Sequence, residues 1–314
     1  ANWPTPRVEC DNITKLTQLG IGDEATYIGK DALVTYVYGN RIYVQDEGAA
    51  IRLTAAEGVD VSSIKIGDKL TNLNITMINT GWRLDSFDAA NIESSNNEVV
   101  AKVVTPDQLA DNLFRFVEVK YGMFETAGVP LNANAIKLDV LGTDIEVNVL
   151  DVNAFSDFVT EKGVCTVAGI YRYENIETQT PKILSPRTPA DITVTYSAIP
   201  ELTFNPTTVT INSGTQETAL ETSFAVTGTD ITALVKVSTE TAGVTFPTSE
   251  FAAEAFANGA SVTVPLSWTP NAVTEGTGLV KVATSFEYDG QTFTVEDNVN
   301  LQVLAAPSIT TDWE

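Results

Sequence analysis

"GNRIYVQDEGAAIRL", residues 39–53, decides how the first part of the chain folds. Ile42 and Val44 fall on one side of an extended chain, and Ile51 and Leu53 continue that side after the bend. Arg41, Tyr43, Gln45 and Arg52 point the other way. Gly39-Asn40 turns the chain upstream, and Asp46, Glu47 and Gly48 supply a tight bend between the two runs. Two antiparallel strands with one apolar side follow from this pattern. Working outward, "ALVTYVY" (32–38) reads as the strand before them. After an irregular link, "IGDKLTNLNITM" (66–77) places Leu73, Ile75 and Met77 on one face, and "GWRLDSF" (81–87) closes the set. Five strands, a tight meander of three and then a longer link, predict a small closed barrel. Its interior is Ile42, Val44, Ile51, Leu53, Leu73 and Ile75.

The order Gly39, Tyr43, Gln45-Asp46, Gly48, Ile51 and then Gly67-Asp68 resembles the OB-fold domains of Bacteroidetes surface and secreted proteins. A similar pattern recurs in nuclease-associated and anticodon-binding OB-folds. The resemblance covers roughly residues 28–90 and implies a fold more than a function. A second copy follows, with "LFRFVEVKYGMFETAG" (113–128), "AIKLDV" (135–140), "DIEVNVLD" (144–151) and the returning pair "EKGVCTVAGIYRYENIETQTPKILSP" (161–186). Helices are few. "TPDQLADNLF" (105–114) opens on Thr105 as N-cap and Pro106, and "NAFSDFVTEKG" (153–163) ends on Gly163.

"SPRTPADI" (185–192), with Pro186 and Pro189, reads as a linker. Beyond it short strands recur from "LTFNPTTVTI" (202–211) to "LVKVATSFEYDGQTFTVEDNVNLQVL" (279–304), with Asp289-Gly290 as a hairpin turn. That spacing predicts an immunoglobulin-like sandwich. The passage "SFAVTGTDI…VTVPLSWTPN…GTGLVKVATS" looks like the Ig-like modules of many Bacteroidetes lipoproteins. The expected organisation is all-β: an N-terminal segment (1–27), two OB-like five-stranded barrels (28–100 and 101–190), an Ig-like β-sandwich (191–305) and a tail (306–314).

A length of 314 residues suits two or three domains. The net charge is −23, and residues 191–314 carry 15 acidic but only 2 basic side chains. Such a field repels polyanions, so nucleic acid is an unfavoured partner. Without histidine, the Ser-His-Asp triad, the Cys-His pair and the H-E-x-x-H zinc site are excluded. The pairs Asp46/Glu47, Asp85/Asp88 and Glu296/Asp297 lack the apolar surroundings that raise a catalytic carboxylate. The expectation is therefore no enzyme and no cofactor. Oxygen ligands favour calcium over softer metals, yet the EF-hand loop is missing. Cys10 and Cys165 leave a disulfide open on spacing alone. No apolar run is long enough to span a membrane. The opening "ANWPTPRVEC", with no initiating Met, suits removal of an upstream targeting segment, and membrane attachment would come only through an upstream lipid anchor.

The candidate ligand residues are Tyr43, Gln45, Arg52 and Trp82, on the barrel surface that OB-folds commonly use. Tyr43 offers a flat face, Gln45 a donor and acceptor, and Arg52 a planar fork, a set suited to a glycan. The competing reading, which tandem domains favour, is that these side chains pack against the neighbouring barrel. Tyr171 and Tyr173 carry the same two alternatives. The function expected is a non-catalytic, extracytoplasmic binding or structural protein at the outer membrane or cell surface, or secreted. Its partner would be a glycan or surface protein; a nucleic-acid accessory protein is the alternative.

Overall fold

The computed structural model describes residues 7–77, 85–175, 178–212, 219–269 and 276–304. The chain is all-β and divides into two compact units, residues 1–197 and 198–314.

The first unit holds two closed five-stranded barrels. In the first, β1 (Ala32–Tyr38), β2 (Arg41–Gln45) and β3 (Ala50–Ala55) form an antiparallel meander. β3 then runs parallel to β5 (Asp85–Ser94), which pairs antiparallel with β4 (Lys69–Met77). β4 returns to β1 and closes the circuit. Ile42, Val44, Ile51, Leu53, Leu73 and Ile75 all lie inside, each at most 1% exposed. Fully burying such a side chain contributes about 1.5–3 kcal/mol, so the in-phase alternation is itself the driving force for this register. Gly39, at φ +58°, takes the left-handed conformation that the β1–β2 turn requires.

The second barrel repeats the circuit. β6 (Phe116–Phe124), β7 (Ile136–Val140) and β8 (Thr143–Val147) form the meander. β8 runs parallel to β10 (Thr180–Ser185), β10 pairs with β9 (Val164–Asn175), and β9 closes on β6. Its core includes Val117, Val119, Leu138, Val147, Val167 and Leu184.

Several expected boundaries shift. The N-terminal segment belongs to the first barrel: Ile13 and Leu16, on the short helix Ile13–Thr17, and Tyr27 are buried in its core. Asn12 caps that helix by accepting from Lys15 N at 2.9 Å. The expected linker lies inside the second barrel. Ile192–Tyr196 is a strand paired with β9, and Arg187 grips Asp191 through two hydrogen bonds of 3.0 Å. The unit therefore ends at Ser197, not at 190.

Pro106–Asn112 is a 3₁₀ helix rather than an α-helix. No helix forms in residues 153–163: residues 152–157 make successive turns, and 158–160 run extended. Phe155 plugs the barrel from these turns, while Val159 bridges to Pro130 and Thr160 N donates to Val129 O at 2.9 Å. Pairing of 158–160 with 129–130 holds that half extended, which leaves no length for a helix.

The second unit is a two-sheet sandwich. Glu201–Asn205, Leu220–Thr229, Ser261–Trp268 and Val244–Thr245 make one sheet. Thr208–Asn212, Gln291–Leu304, Gly276–Tyr288, Val235–Ser238 and Glu250–Phe251 make the other. Phe224, Val226, Val264, Leu266, Trp268, Val280, Val282 and Leu301 fill the space between them. Asp289 and Gly290, at φ +50° and +74°, form the hairpin turn that their sequence announces. The stretch expected as a tail, 306–314, lies outside the described residues.

Cys10 and Cys165 are free and buried, one in each barrel core. Burial raises both thiols, Cys165 from 9.0 up to about 12. The folded state therefore keeps protons that the unfolded chain releases first as pH rises. Both thiols should resist iodoacetamide at pH 8 until urea is added. The contribution of Cys165 to stability, present below pH 9, should fall away between pH 9 and about 12, with Cys165→Val flattening that decline. Rapid labelling of the native protein would contradict the buried placement.

Candidate functional site

Strand alternation sends Tyr43, Gln45 and Arg52 to the outer face of β1–β3, opposite the barrel core. In the structure that face is not open. Tyr43 is 1% exposed, Gln45 9% and Arg52 7%. Phe114, Phe116, Ala168 and Ile170 of the second barrel pack against Tyr36, Tyr43 and Ala50 in a separate apolar cluster. A chain of rings runs through this seam. Tyr38 stacks on Tyr36 at 6.4 Å, Tyr36 meets Tyr43 at 6.1 Å, and Tyr43 meets Phe114 at 6.4 Å. Phe114 then meets Tyr173 edge-on at 5.9 Å. Such contacts are worth about 0.5–1.5 kcal/mol each beyond their buried area.

Polar groups of the two barrels pair at the margin of the seam. Phe116 N donates to Gln45 Oε1 at 3.0 Å. Arg115 donates to the carbonyls of Asp46 at 2.8 Å and Glu47 at 3.3 Å. Arg187 donates to Thr35 O at 3.0 Å, and its guanidinium lies 3.5 Å from the centroid of the Phe116 ring. Asp46 builds the bend itself: its carboxylate accepts from Gly48 N, Ala49 N and Ile13 N at 2.9, 2.8 and 2.6 Å. The Asp-Glu bend thus anchors the N-terminal helix to the first barrel and offers its carbonyls to the second.

Arg172 is buried beside Tyr36 and Tyr43. It donates to Ser185 Oγ at 2.8 Å, Asn148 Oδ1 at 2.7 Å and Tyr173 O at 2.9 Å. Burial holds its guanidinium, like that of Arg115, below the ordinary arginine value, and pushes the Tyr43 hydroxyl up.

The ligand face expected at Tyr43, Gln45 and Arg52 is therefore an internal seam, because the second barrel removes it from solvent. Trp82 lies outside the described residues. Tyr171 is buried in the second core, and Tyr173 flanks the seam. Sequence reasoning missed the partner side: Phe114, Arg115, Phe116 and Arg187. The available signal was "LFRF", an aromatic pair around an arginine at the head of the second barrel.

Other surfaces of this unit stay open, two of which carry charged side chains. A groove of about 1460 Å³ carries Lys15, Lys69, Lys102 and Arg115 beside Asp11, Asp31, Asp46 and Glu47. Its cations are already engaged: Lys15 with Asp11 and Lys69 with Asp31, each at 2.9 Å, Lys102 with Asn112 Oδ1 at 2.9 Å, and Arg115 as above. The second barrel's β7–β8 surface sets Lys137 opposite Glu146 and Asp139 opposite Asp144. Neither surface offers surplus positive charge. Among the described residues, no group of three or more His, Cys, Asp or Glu side chains is placed to hold a metal.

No protein-family model matches the chain, and no curated protein matches it. Among solved structures, it is similar to the ASH / PapD-like domain (PapD-like domain 7) of human CEP192. That match has 8% sequence identity and a TM-score of 0.27, and covers 34% of this chain and 86% of the other.

Proposed function

We infer that the chain is a non-catalytic binding or structural protein of the cell exterior, with a glycan or another surface protein as its partner. The observation that carries this reading is the seam. The face on which an OB-like barrel would hold a ligand, Tyr43, Gln45 and Arg52, is spent on joining two barrels. In this reading the joined barrels are a support, and binding falls to another surface. The acidity, −23 overall, fits a soluble extracytoplasmic domain. No helix among the described residues is long and apolar enough to cross a membrane. In this reading, attachment to the outer membrane is through an upstream lipid anchor. Protease added to intact cells tests the location: cleavage of this chain, with cytoplasmic markers spared, supports it, and full protection overturns it.

The alternative, a nucleic-acid accessory protein, needs a continuous positive path through Arg41, Arg52, Lys69 and Arg83. Arg52 is buried, Lys69 is held by Asp31, and Arg83 lies outside the described residues. Little counterion release is available from such a surface. Single-stranded DNA and RNA should bind no tighter than about 10 μM at physiological salt, read by fluorescence anisotropy with a mixed-sequence oligonucleotide. Sub-micromolar binding with a steep salt slope would put the alternative first.

A further inference from the structure

The hairpin of the sandwich, Gly276–Tyr288 and Gln291–Leu304, alternates strictly. Val280, Val282, Val299 and Leu301 enter the core, which forces Leu279, Lys281, Asn298 and Asn300 outward. Register sets these side chains in two cross-strand rows. Ser238 lies opposite Lys281, which lies opposite Asn298, and Leu279 lies opposite Asn300. Neighbours within a row are about 4.8 Å apart and the rows about 6.7 Å apart, spacings on the scale of a sugar ring. The turn after Ser238 folds over one end, where Thr241 Oγ1 accepts from Leu279 N at 3.0 Å. The result is an open groove of about 1010 Å³, lined by these five residues and that turn.

We propose that this groove binds a neutral oligosaccharide. The chemistry of the lining selects that class. The side-chain amides of Asn298 and Asn300 have no hydrogen-bond partner among the described residues, and each presents a donor and an acceptor. Sugar hydroxyls require both roles. Lys281 and Glu240 both line the groove, so its wall carries one donor and one acceptor charge that offset each other, and Lys281 is held at 3.0 Å by Glu296 at the edge. Leu279, 51% exposed, supplies an apolar surface for the C–H face of a ring. A polyanion is disfavoured, since residues 191–314 hold 15 acidic against 2 basic side chains. A peptide would want a deep apolar anchor pocket, and this groove has only one exposed leucine.

The inference rests on the reading of the chain as an exterior binding protein and names its ligand class and site. The test uses the full chain, with cellohexaose, maltohexaose, mannohexaose and chitohexaose as neutral probes and heparin as the anionic one. Binding is followed by amide chemical-shift changes. At least one neutral probe should shift residues 277–281 and 298–300, with affinity insensitive to salt between about 50 and 500 mM, in contrast to phosphate-type recognition. An Asn298→Ala/Asn300→Ala double variant should keep its melting temperature, since both residues are exposed, and lose affinity at least about tenfold. Silence with all four neutral probes, or binding of heparin alone, overturns the proposal. Undiminished binding by the double variant, or shifts confined to other residues, removes this site while leaving a binding function standing. The protease result on intact cells reports on location separately.

Discussion

Ile51→Asp lowers the stability of residues 1–197 by about 4 kcal/mol or more, read from urea melts of the full chain. Ile51 sits on β3 facing Val44 of β2, 1% exposed, in the middle of the first core. A carboxylate there has no cation beside it among the described core residues and must either stay ionised in an apolar site or take up a proton. Either state is costly, and the loss is comparable with the whole stability of many domains. The conservative change Ile51→Val removes one methylene and should cost only about 0.5–1.5 kcal/mol. A large gap between the two variants marks position 51 as interior. An unchanged midpoint for Ile51→Asp would mean that β2 and β3 are in the wrong register.

Tyr43→Ala should cost about 3 kcal/mol, close to what a core aromatic costs. If Tyr43 were an exposed ligand platform, the same change would fall within about 0.5 kcal/mol. The two accounts of "GNRIYVQDEGAAIRL" therefore differ several-fold in one stability measurement. Phe114→Ala should resemble Tyr43→Ala, because each ring is the other's neighbour across the seam.

The inner side of the first barrel was legible because alternation is a local property. Ile42, Val44, Ile51 and Leu53 sit within twelve residues and are held in phase by two short turns. The outer side was not legible in the same way. A Tyr-Gln-Arg set looks alike whether water or another barrel covers it, since each side chain has an apolar body and a polar tip. What decides between the two is Phe114 and Phe116, some 70 positions downstream, and no periodicity connects them to Tyr43. Only the general need of tandem domains to bury a shared surface pointed to the covered state.

The misplaced linker has a similar cause. Pro186 and Pro189 signal a turn, but a turn inside a barrel and a turn between domains share the same residues. The strand Ile192–Tyr196 reveals the difference by pairing with β9, a long-range event. The expected helix at 153–163 failed because Thr160 and Val159 are claimed by residues 129–130, again beyond the reach of a local pattern. Asp46 shows the reverse. The sequence placed it at a bend, and its three backbone hydrogen bonds explain why an aspartate belongs there.

The outer face of β1–β3 is a seam between two barrels rather than a ligand surface. A double-mutant cycle across that seam distinguishes the two placements of Tyr43. Stability is measured for the wild type, Tyr43→Ala, Phe114→Ala and the double variant. With the two rings 6.4 Å apart, the expected coupling energy is about 1 kcal/mol, so that the double variant loses less than the two single changes added together. Strict additivity, with the coupling within about 0.3 kcal/mol of zero, would show that the rings do not meet and would return Tyr43 to the surface.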